Sequence, residues 1–109
     1  MFDLLKNDDG KVVNVNDMES LIGKVKLIDI RETYEYNSGN IAGAKNIPMG
    51  ELLMEPDKYL VKDEKYYIMC QSGGRSGSAC KELSKQGFDV VNVSGGMGSY
   101  VGRNINYGL

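Results

Sequence analysis

The sequence predicts an α/β fold in which helices flank a mainly parallel sheet of about five strands. Short apolar runs alternate with helical stretches along the chain, and several runs end in glycine-containing loops that open the next helix. The segment Val25-Lys26-Leu27-Ile28-Asp29-Ile30 is mostly apolar, as strands buried on both faces of a parallel sheet are. Parallel neighbours need crossovers, which are right-handed.

Taken in order, Lys11 to Val15 reads as a short strand. Asn16 can then cap a helix over Asp17 to Ile22, with Glu19 completing a weak capping box and Gly23 as its stop. After the strand Val25 to Ile30, a polar helical turn fits Arg31 to Gly39. Gly39, Gly43 and Pro48 punctuate a loop around the short segment Ala44 to Ile47. A helix within Glu51 to Leu60 is interrupted at Pro56, and Lys65 to Met69 is the next strand. It runs into Cys70-Gln71-Ser72-Gly73-Gly74-Arg75-Ser76, a loop that opens a helix over Arg75 to Gln86. Gly87 and Phe88 supply the left-handed stop and the return contact onto Leu83 of a Schellman cap. Val90 to Val93 is a last core strand, followed by a short helix near Met97 to Val101. Gly95-Gly96-Met97-Gly98 matches neither G-x-G-x-x-G nor the phosphate-binding loop with its lysine, and reads as a turn.

With 109 residues, the expectation is one domain with one core. Hydrophobic residues at 41% and charged residues at 26% match ordinary globular usage. A net charge of -2 with scattered lysines speaks against nucleic acid as a partner. The N-terminal segment Met1 to Asp9 turns acidic before any leader-like apolar stretch develops, and no run could span a bilayer, so a cytoplasmic location is expected. There the two cysteines, Cys70 and Cys80, should be free thiols. The chain contains no histidine, which excludes every imidazole-based scheme and leaves too few ligands for structural zinc; no metal and no cofactor are expected.

Open α/β sheets gather their sites where strands end and helices begin. Cys70 stands at such a place. A loop containing Gly73 and Gly74 can converge successive N–H groups on one point, and the helix start adds unpaired donors and its positive dipole end. A thiol in that cradle is favoured as thiolate, its pKa brought from about 8.5 to roughly 7.5 or below. Arg75 can present a planar fork to an oxyanion such as thiosulfate.

The pattern Cys70-x-x-Gly73-x-Arg75-Ser76 between a strand and a helix resembles the active-site loop of the rhodanese family. Asp29-Ile30-Arg31 with Glu35-Tyr36, Gly39 to Ala44 with Asn46-Ile47-Pro48, Gly87 to Val90 and Gly95-Gly96-Met97 resemble its other segments in order. The likeness runs from about Asn16 to Asn104. It implies a three-layer rhodanese-like fold and a thiosulfate sulfurtransferase type of enzyme. Such an enzyme moves a sulfane sulfur from thiosulfate or a persulfide to cyanide or a thiol through a persulfide on Cys70. Gln71, Ser72, Gly73, Gly74 and Arg75 would bind substrate, with Asp29, Arg31 and Ser76 in support. A sulfur-relay protein or thioredoxin-like reductant would be a fitting partner. Asn40 stands where the family usually has histidine, Tyr100 where tryptophan is common and Cys80 where alanine is usual.

Other readings attach to the same residues. Cys70 could be a small buried hydrophobe at a strand end, and Arg75 a solvated residue at a helix start. Asp29 fits a cap on a neighbouring loop better than direct catalysis, Arg31 and Glu35 suit a structural ion pair, and Cys80 suits core packing better than a resolving thiol. A phosphatase or arsenate reductase uses cysteine and arginine in a similar cradle, but with one more residue between them than the four separating Cys70 from Arg75. A persulfide carrier or partner-binding module with little turnover is the non-enzymatic alternative.

Overall fold

A computed structural model describes residues 11–107. The acidic segment 1–9, on which the leader expectation rests, lies outside them. Five parallel strands form the central sheet: β1 (Val12–Asn14), β2 (Lys26–Asp29), β4 (Lys45–Asn46), β5 (Lys65–Met69) and β6 (Asp89–Ser94), in the order β1-β6-β5-β2-β4. Between them come α1 (Thr33–Asn37), α2 (Met49–Met54), α3 (Pro56–Tyr59), α4 (Gly74–Lys85) and α5 (Gly96–Ser99). Two further strands, β3 (Asn40–Ile41) and β7 (Ile105–Asn106), pair antiparallel apart from the sheet.

Period-two alternation divides the core into two layers. On one side of the sheet Tyr66, Ile68 and Cys70 pack with Ile28, Ile30, Leu52, Ala79, Cys80, Leu83 and Val90. On the other Met69, Leu27, Val93, Val15, Met18, Ile41 and Tyr100 form a second cluster. The three-layer arrangement follows, because each sheet face needs its own apolar cover. Gly87 takes φ +97°, its N–H donates to Ser84 O, and the Phe88 N–H donates to Leu83 O at 3.1 Å, the expected Schellman cap.

Three local expectations are corrected. The helix over Asp17 to Ile22 is a 3₁₀ turn at Val15–Met18 followed by turns, and its cap is Asn14, whose side chain accepts from Asn16 N. Asn16 is diverted by tertiary contacts, with Nδ2 donating to Ser99 O and Oδ1 accepting from Val101 N. The final helix stops at Ser99 rather than Val101. The β3–β7 pair gave no local signal, since two-residue strands carry no readable period.

β5 occupies the middle of the sheet and β2 lies beside it. The chain leaves β2 for β4 on one flank and leaves β5 for β6 on the other, so their carboxyl ends bound a topological switch point, where such sheets form crevices. Asp29 ends β2, and Cys70 immediately follows β5.

Candidate active site

Alternation along β5 turns Cys70 towards α4, whose first turn supplies free amides. Gly73 precedes the helix at φ +103°, and a Cβ there would stand 3.2 Å from Gly95 N, so both conformation and space call for glycine. Cys70 Sγ accepts from Gly73 N at 3.2 Å and Ser76 N at 3.3 Å, with the Ser76 hydroxyl at 3.3 Å. Burial pushes the thiol up, but the Ser76 hydroxyl and the amides of Ser76, Gly73 and Ser72 outweigh it, leaving the Cys70 pKa below its ordinary value. The ring closes on Sγ itself: Cys70 has no exposed surface, while Gln71, Ser72 and Gly74 above it are exposed.

A second tier holds this ring in place, and most of it escaped sequence reasoning. Asn92 on β6 brings Oδ1 to 2.5 Å from Ser76 Oγ and its amide nitrogen to 3.4 Å from Gly73 O. α5 docks beneath the loop, Met97 N donating to Cys70 O at 2.9 Å and Gly98 N to Gln71 O at 2.8 Å. With their carbonyls held outward, these peptides leave the following N–H groups free to face inward. The Gly95 to Gly98 segment, expected as a turn and folded as the start of α5, is therefore a buttress. Its sequence signal was the glycine pair directly after a core strand, which marks positive φ and close backbone approach.

Asp29 and Arg31 are both buried. The Arg31 guanidinium donates from Nε and Nη2 to the Asp29 carboxylate, from Nη2 to Gly39 O at 2.8 Å and from Nη1 to Gln71 Oε1 at 3.1 Å. Asp29 also accepts from Arg31 N at 3.0 Å, the loop-capping contact expected of it. The expected Arg31–Glu35 pair is not formed. Arg31 pairs within its own strand end, and Glu35 instead meets Arg75 in a two-bond fork at 2.8 and 3.0 Å. Register decides this: the sheet brings α1 against the start of α4, 40 residues away in sequence. Arg75 thus carries a carboxylate partner rather than an empty fork.

The Arg75 fork, with the Glu32 N–H, holds the Glu35 carboxyl down at about 2, against the opposing effect of burial. A depressed carboxylate stabilises the fold above its unfolded pKa of about 4.3, and that contribution disappears as pH falls towards the folded value. Glu35→Gln is accordingly expected to lose less stability than the unmodified chain between pH 5 and about 2, read as urea midpoints across that range. Equal losses would contradict the assignment.

Cys80 lies in α4 with 3% exposure, and burial, followed by the Cys70 charge, pushes its thiol up to about 12. Asn40 is buried and donates to Tyr36 O at 2.9 Å; Tyr100 engages Glu19. Among the described residues no group of three or more acidic or cysteine side chains gathers as a metal site, and no helix is long and apolar enough to cross a membrane.

The family model described as Rhodanese-like domain matches residues 14–103. The chain is 46% identical over 79 residues to the putative sulfurtransferase YtwF of Bacillus subtilis, covering 71% of this chain and 74% of that protein. It is 39% identical over 80 residues to the putative sulfur carrier protein YrkF of the same organism, covering 72% of this chain but 43% of that one. Among solved structures, a rhodanese-like domain protein from Staphylococcus aureus superposes with a TM-score of 0.78 at 31% identity, covering 89% of this chain and 97% of that chain.

Proposed function

The chain belongs to the rhodanese-like domain family, and on that premise we propose that it is a sulfurtransferase whose Cys70 takes up a sulfane sulfur as a persulfide and hands it on. Sulfur transfer is the activity class that its sulfurtransferase-named relatives support. The observation that carries the finer reading is the convergence of the Gly73 and Ser76 amides on a single cysteine sulfur. Such donors favour an anion at that point, first the thiolate and then a persulfide. The 109 residues act as one unit in this reading.

In the loading step the Cys70 thiolate attacks the outer sulfur of the donor. The new S–S bond forms as the donor's own bond to that sulfur breaks, releasing sulfite from thiosulfate or a thiolate from a persulfide. In the second step cyanide or an acceptor thiolate attacks the outer sulfur and Cys70 leaves as thiolate. Each step transfers one neutral sulfur atom and returns its electron pair to the leaving group, so no cofactor is needed and the kinetics are ping-pong. Ser76 and the loop amides bind the charge, Asn92 and α5 keep the amides aimed, and Arg31 ties Gln71 to the end of β2.

A thiol without exposed surface is reached only when the loop above it draws back. The covered thiol also favours a relay in which a partner protein opens the loop, in keeping with a relative named as a sulfur carrier. A thioredoxin-like reductant or another persulfide-bearing protein suits that role.

The test is intact-mass analysis after exposure to thiosulfate and to cysteine persulfide across a pH series. One added sulfur on Cys70 is expected, at a rate that rises with pH through the depressed thiol pKa and levels off above it, because only the thiolate attacks. No loading by any sulfane donor, or phosphate-ester hydrolysis exceeding sulfur transfer, would overturn the proposal.

A further inference from the structure

Both arginines at the site are already spoken for. Arg31 directs its guanidinium donors to Asp29, Gly39 O and Gln71. Arg75 gives one N–H from each terminal nitrogen to the two oxygens of Glu35, in the parallel geometry that occupies its end-on fork. Glu35 does not drift into that contact. Its Oε1 also accepts from Glu32 N at 2.9 Å as half of a capping box at the start of α1, so the carboxylate is held from its own helix as well as by Arg75. The pair is partly exposed, the Arg75 side chain 39% and the Glu35 side chain 22%, and Arg75 lies near enough to Cys70 for its charge to be felt there.

The charges decide what such a site admits. Once Cys70 ionises, the cations Arg31 and Arg75 face three anions, Asp29, Glu35 and the thiolate. Thiosulfate would add a double negative charge to a site that is already anionic and whose outer fork is filled. A persulfide on a small thiol brings one negative charge or none, and its sulfur needs only the loop amides.

We infer that Glu35 is a donor-specificity residue: by occupying the Arg75 fork near Cys70, it disfavours dianionic donors such as thiosulfate and favours thiol-borne persulfides. The inference rests on the persulfide reading of Cys70 and refines its donor class. Glu35 stays ionised at any working pH, its carboxyl being held at about 2. It acts on substrate charge through Arg75 and touches no reacting atom.

The experiment compares loading of Cys70 by thiosulfate and by cysteine persulfide in the unmodified chain, Glu35→Gln, Glu35→Asp and the double variant Glu35→Gln/Arg75→Ala. Glu35→Gln removes the charge with little change of shape. It is expected to raise kcat/KM for thiosulfate about tenfold through KM, the order of effect for one charge at close range, and to change cysteine persulfide less than about twofold. Glu35→Asp keeps the charge and should keep the original preference. In the double variant the gain should vanish, since it is the released Arg75 fork that captures thiosulfate. A purely structural Glu35 would lower both donors alike, and that result, or an unchanged donor ratio, overturns the inference.

Salt gives a second reading that needs no variant. In the unmodified chain thiosulfate loading should rise with ionic strength as repulsion is screened, whereas a fall would show an attractive clamp and overturn the inference. If neither donor loads the unmodified chain, it is the persulfide reading that fails. If both load and the ratio is insensitive to Glu35, only the specificity inference fails.

Discussion

Cys70→Ser is expected to abolish sulfur loading and to reduce transfer by a factor on the order of 10³ or more, since a hydroxyl in the same ring is neither ionised at neutral pH nor able to carry a sulfane sulfur. The fold should survive, because serine is of similar size and meets the same donors at Gly73 N and Ser76 N. Cys80→Ser provides the contrast. Its thiol is buried among apolar side chains and pushed up to about 12, so replacing it should cost stability while leaving loading on Cys70 intact. Intact mass after donor exposure separates the two variants. Persistent single-sulfur loading of Cys70→Ser would place the chemistry on the wrong cysteine.

Gly96→Ala should be nearly as damaging, although Gly96 bears no side chain and touches no substrate. It adopts φ +58°, where an alanine costs about 1 kcal/mol from its own backbone. The added methyl would also collide with the carbonyl oxygen of Cys70 and sit 2.7 Å from the carbonyl carbon and oxygen of Gln71. Neither neighbour is a side chain that can swing away, so the loop itself must shift. A displacement of about 1 Å at a reacting centre can cost about 100-fold in rate, and overpacking adds roughly 1–3 kcal/mol of destabilisation. Transfer activity of Gly96→Ala should therefore fall by about two orders of magnitude, with a lowered Tm. Gly50→Ala, on an exposed helical position with nothing within 4 Å of the new methyl, is the control and should stay within about 1 kcal/mol of the parent. Full activity in Gly96→Ala would show that α5 does not set the loop.

These two positions differ in how plainly the sequence announces them. Cys70 is marked by a strand that ends, two glycines and a helix that begins, all within seven residues. Gly96 sits in a motif that looks like a turn until α5 is seen to donate from Met97 and Gly98 to the carbonyls of Cys70 and Gln71. Asn92 was readable only as a residue of the β6 strand. Its value lies in the neighbouring position of Ser76 and Gly73, which sheet register fixes. The helix expected after Asn16 failed for a related reason: the side chain assigned to capping binds Ser99 and Val101 instead.

By itself, the chain's order of residues determined the α/β class, the central strands, the Schellman-capped helix, and the place of Cys70 at a strand end with the loop that follows it. Each is written in a short window, through period-two burial, a left-handed glycine or a helix start, where local geometry has few alternatives. Only the tertiary structure decided that Arg31 reaches Gln71, that Arg75 answers Glu35 and that α5 braces the Cys70 loop. Those choices join residues far apart in the chain. Their partners are selected by which strands stand side by side in the sheet, a property no local pattern of side chains encodes.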